Sequence, residues 1–333
     1  MPRSVSRVSY GGRGGDLHVV TITPNAAHAK GHGTPAAERG PVVVVTANVH
    51  GDECTGTGAV IRLLPLLESE LLRGAVHLYP SLNPDGLERR VRRVPEDDQD
   101  LNRQFPGDPT GTPAERLAHA AWTDLSARQP HLLIDLHADA PGALPYALVD
   151  RAVSLKSEAR SNIEAVSLAA ATASGLTVMH DYPDDRYLRF RLDRSLSGAA
   201  LNRLRVPAVT VEAGPRLVLD TEAVDVTVRA VLGMLTHLGM LDAPAPPHAQ
   251  RISDGPWRRD NGPRASTTGL LLPRARAGVR LERGAVVAEV RGFSGALLEE
   301  VRADSPGFVL APAERSHVVA GVSVCTWATA EPS

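Results

Sequence analysis

The sequence has few cysteines, no long apolar run and no excess of charge of either sign. Its two cysteines, Cys54 and Cys325, lie far apart among 333 residues. They form no framework of disulfide pairs, so a reducing, cytoplasmic compartment is expected. No stretch of about 18 consecutive apolar residues exists, which argues against a membrane-spanning helix. The segment Met1–Gly15 lacks the apolar core of a secretory signal, so none is expected.

Positive and negative residues nearly balance, with 36 Lys and Arg against 38 Asp and Glu. This balance gives no electrostatic reason to expect nucleic acid or an anionic membrane as a partner. The length suits one large domain together with a small one. The oligomeric state stays open at this level, a homo-oligomer included.

Apolar runs alternate with helical patterns along most of the chain, which is typical of α/β proteins. Helices are predicted over Gly58–Leu72, from Thr112–Pro113 onward, over Ser154–Ser174 and over Thr221–Leu238. Strands are predicted at His18–Thr23, Pro41–Ala47, Ala75–Tyr79, His131–Leu136 and Val206–Val211. We therefore expect a mixed sheet flanked by helices.

The segment Leu241–Gln250 is rich in Pro and Ala, above all over Ala243–Pro247, and is predicted to be a linker. Beyond it, short β-type runs alternate with glycines, which indicates a small all-β domain. These runs are Gly269–Leu272, Ala285–Val290, Gly307–Ala311 and Gly321–Trp327. The predicted division is a catalytic α/β domain over residues 1–242, followed by a linker and a β-rich C-terminal domain over residues 243–333.

Two of the predicted strands end in potential metal ligands. The run Val42–Ala47 leads into a turn that carries His50 and Glu53, and a second apolar run ends in His137. A lone histidine after a strand is more often structural than a ligand. Together, however, two imidazoles and one carboxylate can hold a zinc ion and leave a fourth position for water. The sequence thus predicts Zn²⁺ as cofactor, bound by these three residues.

Further motifs follow in a recognisable order. They are Asn83-Pro84-Asp85-Gly86, the arginine cluster Arg89, Arg90, Arg92 and Arg93, then Asp100-Leu101-Asn102-Arg103, and Val211-Glu212-Ala213-Gly214-Pro215. With the histidine motifs, this order resembles the zinc carboxypeptidase clan, and within it the succinylglutamate desuccinylase/aspartoacylase family. The resemblance extends from about residue 42 to residue 240, and a weaker one covers the C-terminal part. It implies a zinc carboxypeptidase-like α/β fold and hydrolysis of an amide.

The resemblance also assigns roles to individual residues. Glu212 matches the family's catalytic glutamate, whose structural alternative is a strand-end carboxylate paired with a surface arginine. Arg92 or Arg93 matches the arginine that polarises the scissile carbonyl. Asn102 and Arg103 match the pair that grips the substrate's free carboxylate, which suits a guanidinium fork. The alternative role for Arg103 is structural, in which it stabilises the loop through Asp100.

One departure concerns the substrate end of the pocket. Aspartoacylase uses a tyrosine from its C-terminal domain, and this sequence has no tyrosine after Met240. Candidate substitutes are Tyr146, Tyr182 and Tyr187, each with packing as its alternative role. A second acidic group on the substrate would suit the arginines at 186, 189, 191 and 194, whose alternative is a solvated helix face.

The function predicted is a zinc-dependent amidohydrolase that removes an acyl group from an N-acyl amino acid or a related small amide by metal-activated water. One alternative is a metallocarboxypeptidase that cleaves C-terminal residues of small peptides with the same residues. Another is an inactive binding protein on the same scaffold, although no catalytic residue is missing. The acyl group and the amino acid cannot be read from the motifs.

Overall fold

A computed structural model describes residues 3–11, 15–25, 40–242, 251–255 and 257–331. Of the linker predicted at Leu241–Gln250, residues 243–250 lie outside the described residues. The α-helices are α1 (Thr55–Glu70), α2 (Pro84–Arg89), α3 (Pro113–Ala127), α4 (Ser157–Ala173), α5 (Asp184–Arg189), α6 (Leu196–Ala199) and α7 (Thr221–His237). Short 3₁₀ turns occupy Leu101–Arg103 and Leu192–Arg194, and a π-helical turn spans Ala200–Leu204.

The N-terminal strands build most of one large sheet. They are β1 (Arg3–Val8), β2 (Leu17–Ile22), β3 (Val42–Ala47), β4 (Ala75–Tyr79), β5 (Leu132–Asp139), β6 (Tyr146–Val149), β7 (Thr177–His180) and β8 (Ala208–Pro215). Their order in the sheet is β1-β2-β4-β3-β5-β8-β6-β7. The four central strands β4, β3, β5 and β8 are parallel, whereas β6 runs antiparallel to β8.

Helices cover both faces of this sheet, which explains why its central strands are apolar throughout. Along β3, Val43 and Val45 pack with residues of α1, α4 and α7. The intervening Val44 packs on the other face, with residues of α3 and α6. Because successive side chains of a strand alternate between faces, a strand buried on both sides reads as a continuous apolar run.

Helix ends follow the local signals in the sequence. Thr112 and Glu115 form a capping box at the start of α3, where Thr112 Oγ1 accepts from the Glu115 amide. Pro113, which follows Thr112, lacks a backbone N–H, and none is needed at the first helical position. Gly175 follows the C-cap of α4 with a φ of 75°, a conformation that glycine adopts without steric cost. The ends predicted for these helices are therefore correct to within a few residues.

The C-terminal part is rich in β-structure, as predicted. Its strands are β9 (Trp257–Asn261), β10 (Gly269–Pro273), β11 (Arg280–Leu281), β12 (Val286–Arg291), β13 (Leu297–Arg302), β14 (Gly307–Pro312), β15 (His317–Val318) and β16 (Cys325–Ala330). Strands β9, β16, β14 and β11 continue the large sheet beyond β7, and β13-β12-β10-β15 form a second sheet.

The mixed α/β fold with additional C-terminal strands confirms the predicted fold class. The sheet continues across the predicted boundary because β9 pairs with β7, with Met179 opposite Trp257. The division into two domains stays a prediction. In the part of the chain described, no helix combines the length and the apolar character needed to cross a bilayer.

Candidate metal centre

The structure brings together the three ligands predicted from the sequence. His50 and Glu53 lie in the turn after β3, and His137 lies on the neighbouring parallel strand β5. One ligand atom from each residue lies within 4.8 Å of the others. Their exposed fractions are only 2–4%. Since parallel strands end at the same edge of a sheet, this arrangement follows directly from the order of β3 and β5.

Each imidazole presents the same nitrogen to the centre. His50 Nδ1 lies 2.9 Å from Glu53 Oε1, and His137 Nδ1 lies 2.8 Å from Glu53 Oε2. The other ring nitrogens face carboxylates, with His50 Nε2 3.2 Å from Asp100 Oδ1 and His137 Nε2 2.9 Å from Asp135 Oδ2. A carboxylate behind a histidine fixes the tautomer that leaves the inner nitrogen free to bind a metal. The donor set therefore fits a divalent metal ion.

The electrostatics of the three groups also suit a cation. Burial opposes the charge on Glu53, yet the two histidines hold the pKa of its carboxyl well below its usual range. Burial likewise opposes charge on His137, but Asp135 and Glu53 raise its pKa well above the usual value. A proton on His137 thus supplies positive charge where a metal ion would supply it, because metal and protons compete for the same nitrogen lone pairs.

Glu212 lies on β8 directly opposite His137 of β5 and lines the same cavity as the three ligands. No described residue makes a hydrogen bond to its carboxylate. Burial raises the pKa of Glu212 to about 8, and a cation bound nearby would lower it again. A carboxyl group with these properties can exchange a proton near neutral pH.

The two candidate arginines occupy different places. Arg92 lines the cavity, and its Nη1 donates to Glu53 Oε1 over 2.6 Å. Arg93 is half-exposed and donates instead to the main-chain carbonyl of Asp98 over 2.9 Å. It does not line the cavity. The structure thus places only Arg92 beside the candidate metal ligands.

Asn102 and Arg103 also line the cavity, on the 3₁₀ turn that Asp100 caps. The Asn102 Oδ1 atom accepts from the Leu196 amide over 2.7 Å, which orients the side chain. Arg103 donates to two main-chain carbonyls, through Nε to Phe190 over 2.8 Å and through Nη1 to Asn102 over 2.7 Å. Main-chain contacts rather than Asp100 therefore hold its guanidinium by hydrogen bonds.

The cavity has a volume of about 220 Å³ and is mainly polar. Of the tyrosine candidates, Tyr146 and Tyr182 line it, whereas Tyr187 is buried elsewhere and donates to Asp150 over 2.7 Å. The arginines at 186, 189, 191 and 194 are absent from its lining. Arg186 pairs instead with Asp260 of β9.

Several residues that line the cavity were not predicted from the sequence, namely Asp139, Asp150, Asp181, Arg216 and Arg259. Arg259 comes from β9, and its Nη2 lies 2.7 and 2.9 Å from the two carboxylate oxygens of Asp181. No local motif marks it, because β9 reaches the site only by pairing with β7. Arg216, in contrast, follows Glu212 by only four residues, so it could have been predicted from the sequence as a residue of the site.

Comparison with known proteins identifies a family that matches most of the chain. Residues 39–238 match the model of the succinylglutamate desuccinylase/aspartoacylase catalytic domain. The N-alpha-acetyl-L-2,4-diaminobutyric acid deacetylase of Halomonas elongata is 28% identical over 282 residues, which are 82% of this chain and 77% of that relative.

Two solved structures place the fold. An aspartoacylase family protein from Mesorhizobium loti superimposes with a TM-score of 0.77 at 19% identity, over 99% of this chain and 96% of that one. A metallo-carboxypeptidase from Burkholderia cenocepacia gives a TM-score of 0.51 at 18% identity, over 72% of this chain and 65% of that one.

Proposed function

The chain belongs to the succinylglutamate desuccinylase/aspartoacylase family, and from that premise we propose that it is a zinc-dependent deacylase of small N-acyl amino acids. His50, Glu53 and His137 would hold the zinc ion through two Nδ1 atoms and a carboxylate. The ion would polarise the scissile carbonyl and lower the pKa of a bound water molecule toward neutrality.

Glu212 carries the proton in this proposal. Its carboxylate accepts a proton from the attacking water and delivers that proton to the leaving amide nitrogen. It is the acidic residue in register with His137 on the neighbouring strand, and no described side chain competes for it. With a pKa raised to about 8 by burial, the group needs the nearby cation to be ionised at neutral pH.

The remaining lining residues orient the substrate. Arg92 donates toward the metal-ligand cluster and is placed to stabilise negative charge on the carbonyl oxygen. Asn102 and Arg103 bind the free carboxylate of the amino acid, since the side-chain nitrogen Nδ2 of Asn102 and the Nη2 of Arg103 have no partner among the described residues. Held between these groups, the amide faces the Glu212 carboxylate.

The substrate is small. A cavity of about 220 Å³ suits a short acyl group and a compact amino acid rather than a long peptide. The relative from Halomonas elongata is named for removing an acetyl group from a diamino acid, which makes N-acetyl amino acids the first class to test. Both cysteines are free, which supports a cytoplasmic location.

The observation that carries the proposal is the convergence of the three candidate ligands with Glu212 and the Asn102–Arg103 pair in one cavity. The test is a panel of N-acetyl and N-succinyl amino acids and of dipeptides, assayed on zinc-loaded protein and on Glu212→Gln. We expect release of free amino acid from at least one N-acyl substrate by the wild type and not by the variant. Equal rates in both proteins would contradict the proposal.

A metallocarboxypeptidase is the second candidate, favoured by the structural similarity to the Burkholderia protein. Hydrolysis of dipeptides in preference to N-acyl amino acids on the same panel would favour it. The third alternative is an inactive binding protein. It predicts tight binding of N-acyl amino acids without turnover, and it is disfavoured because all of the proposed catalytic groups are present.

A further inference from the structure

Four arginines line the cavity, and in two of them, Arg103 and Arg259, the Nε atom already donates to another group of the protein. The four are Arg92, Arg103, Arg216 and Arg259. Arg92 donates to Glu53, and the Nε of Arg103 is taken by a main-chain carbonyl. In Arg259 the Nε–Nη2 edge contacts Asp181. That edge is the part of a guanidinium that binds a carboxylate in a bidentate manner.

Arg216 has this edge free. Its Nη1 donates to Glu314 of the C-terminal part over 2.8 Å, which anchors the far end of the guanidinium. Its Nε is buried and has no hydrogen-bond partner. Glu53 Oε1 lies 3.6 Å from that Nε, too far for a hydrogen bond, and no described residue accepts from Nη2. A buried donor without a partner costs free energy unless a ligand satisfies it.

Arg216 and Arg103 have different carboxylates as their nearest charged neighbours. Arg103 sits within electrostatic reach of Asp100, Asp181 and Arg259. Arg216 sits instead beside the metal ligand Glu53 and acts on Asp139, whose burial-raised pKa it partly lowers.

The backbone also ties Arg216 to the metal-ligand turn, because the Leu217 amide donates to the Asp52 carbonyl over 2.7 Å. When Arg103 holds the amino acid carboxylate, the acyl group must extend in another direction from the metal centre.

We propose that the free Nε–Nη2 edge of Arg216 binds a carboxylate on the acyl side of the scissile amide. The inference rests on the proposed deacylase function. Hydrolysis breaks the C–N bond, forms a C–O bond from water, and leaves the acyl group as a carboxylate while the amine takes both protons of the water. Every acyl group therefore gives one new carboxylate at the former scissile carbonyl carbon. A succinyl group also carries a second, distal carboxylate at its other end.

Carboxylate binding can be measured directly, without turnover. Metal-loaded protein is titrated with acetate and with succinate by calorimetry, as wild type, Arg216→Ala and Arg216→Lys. Loss of a bidentate, charge-assisted contact should weaken binding by about 10- to 100-fold in the alanine variant. Lysine should restore only part of this, because it keeps the charge but lacks the fork.

A matched control is Arg160→Ala, whose side chain is 28% exposed against 26% for Arg216 and which pairs with Asp184 away from the cavity. It should bind both carboxylates like the wild type. Unchanged affinity of Arg216→Ala for both acetate and succinate would overturn the inference, and so would full restoration of the lost affinity by lysine.

A second experiment distinguishes the carboxylate formed by hydrolysis from the distal carboxylate of a succinyl group. It compares N-acetyl and N-succinyl derivatives of one amino acid. If Arg216 binds the new carboxylate, which forms only on hydrolysis, acetate should inhibit the alanine variant more weakly than the wild type. If Arg216 binds the distal carboxylate, the alanine variant should lose kcat/KM on the succinyl substrate alone. Equal kcat/KM of variant and wild type on both substrates, together with equal inhibition by acetate, would contradict both forms of the proposal. If no derivative is hydrolysed by the wild type, the proposed function fails, while the titration still decides the role of Arg216.

Discussion

Replacing Asp135 by asparagine should weaken metal binding without removing a ligand. Asp135 is fully buried. One of its oxygens accepts from Thr46 Oγ1 over 2.7 Å, and the other lies 2.9 Å from His137 Nε2. An asparagine that keeps its oxygen toward Thr46 turns an NH₂ group toward Nε2. His137 must then carry its proton on Nδ1, the nitrogen that faces Glu53, and that nitrogen can no longer bind a metal ion.

The asparagine can restore an acceptor for His137 only by rotating. Its NH₂ group would then face Thr46, whose hydroxyl would have to donate to the Ile134 carbonyl at 3.5 Å. That distance is at the limit for a hydrogen bond, so the rotated form carries its own cost. Either way, the expected loss of zinc affinity is about 10- to 100-fold, the range typical for residues behind a metal-bound histidine. This corresponds to about 1.4–2.7 kcal/mol.

The assay is a competition titration of zinc against a chromophoric chelator, with circular dichroism as a check that the variant is folded. The control is Asp124→Asn, which alters a carboxylate that accepts from Tyr79 and Arg128 away from the site. Its zinc affinity should equal that of the wild type. A folded Asp135→Asn protein that binds zinc within twofold of the wild type would refute the reasoning about the His137 tautomer.

Three further predictions concern activity and stability. Glu212→Gln should lower kcat by at least about 10²- to 10⁴-fold, the usual range for general acid–base catalysis, with zinc content unchanged; a variant that keeps most of kcat would place the base elsewhere. Arg92→Ala should lower kcat by about 10²- to 10³-fold, whereas Arg93→Ala should stay near wild type in the same steady-state assay, and equal losses would contradict the assignment.

Burial lowers the pKa of His77 from 6.5 to about 4. Below about pH 6.5 the unfolded chain therefore binds a proton that the folded chain does not. The free energy of unfolding should fall as the pH is lowered from 6.5 to 4. His77→Gln should lose this part of the dependence in urea titrations, and an unchanged slope would contradict it.

The candidate metal-ligand cluster could be predicted from the sequence because its residues lie at the ends of neighbouring strands. His50, Glu53 and His137 each follow an apolar run, and adjacent parallel strands bring such ends together. Asp135 could also have been identified. It stands two residues before His137 on β5, and alternate side chains of a strand share a face.

The rest of the cavity depends on long-range pairing that no local pattern reveals. Strands β6 and β7 have only four residues each, too few for periodicity to separate a strand from a loop. Strand β9 joins β7 from far along the chain, with His180 opposite Arg258. For this reason Arg259 and its partner Asp181 could not be placed from the sequence, and the substrate end of the cavity was predicted least well.

The central claim is that one zinc ion binds per chain through His50, Glu53 and His137, and metal analysis of purified protein tests it most directly. Mass spectrometry of the metal content should give about one zinc per chain for the wild type. In His137→Ala, with folding verified by circular dichroism, zinc should fall well below one per chain because one of three ligands is missing. Full zinc occupancy in this folded variant would contradict the account.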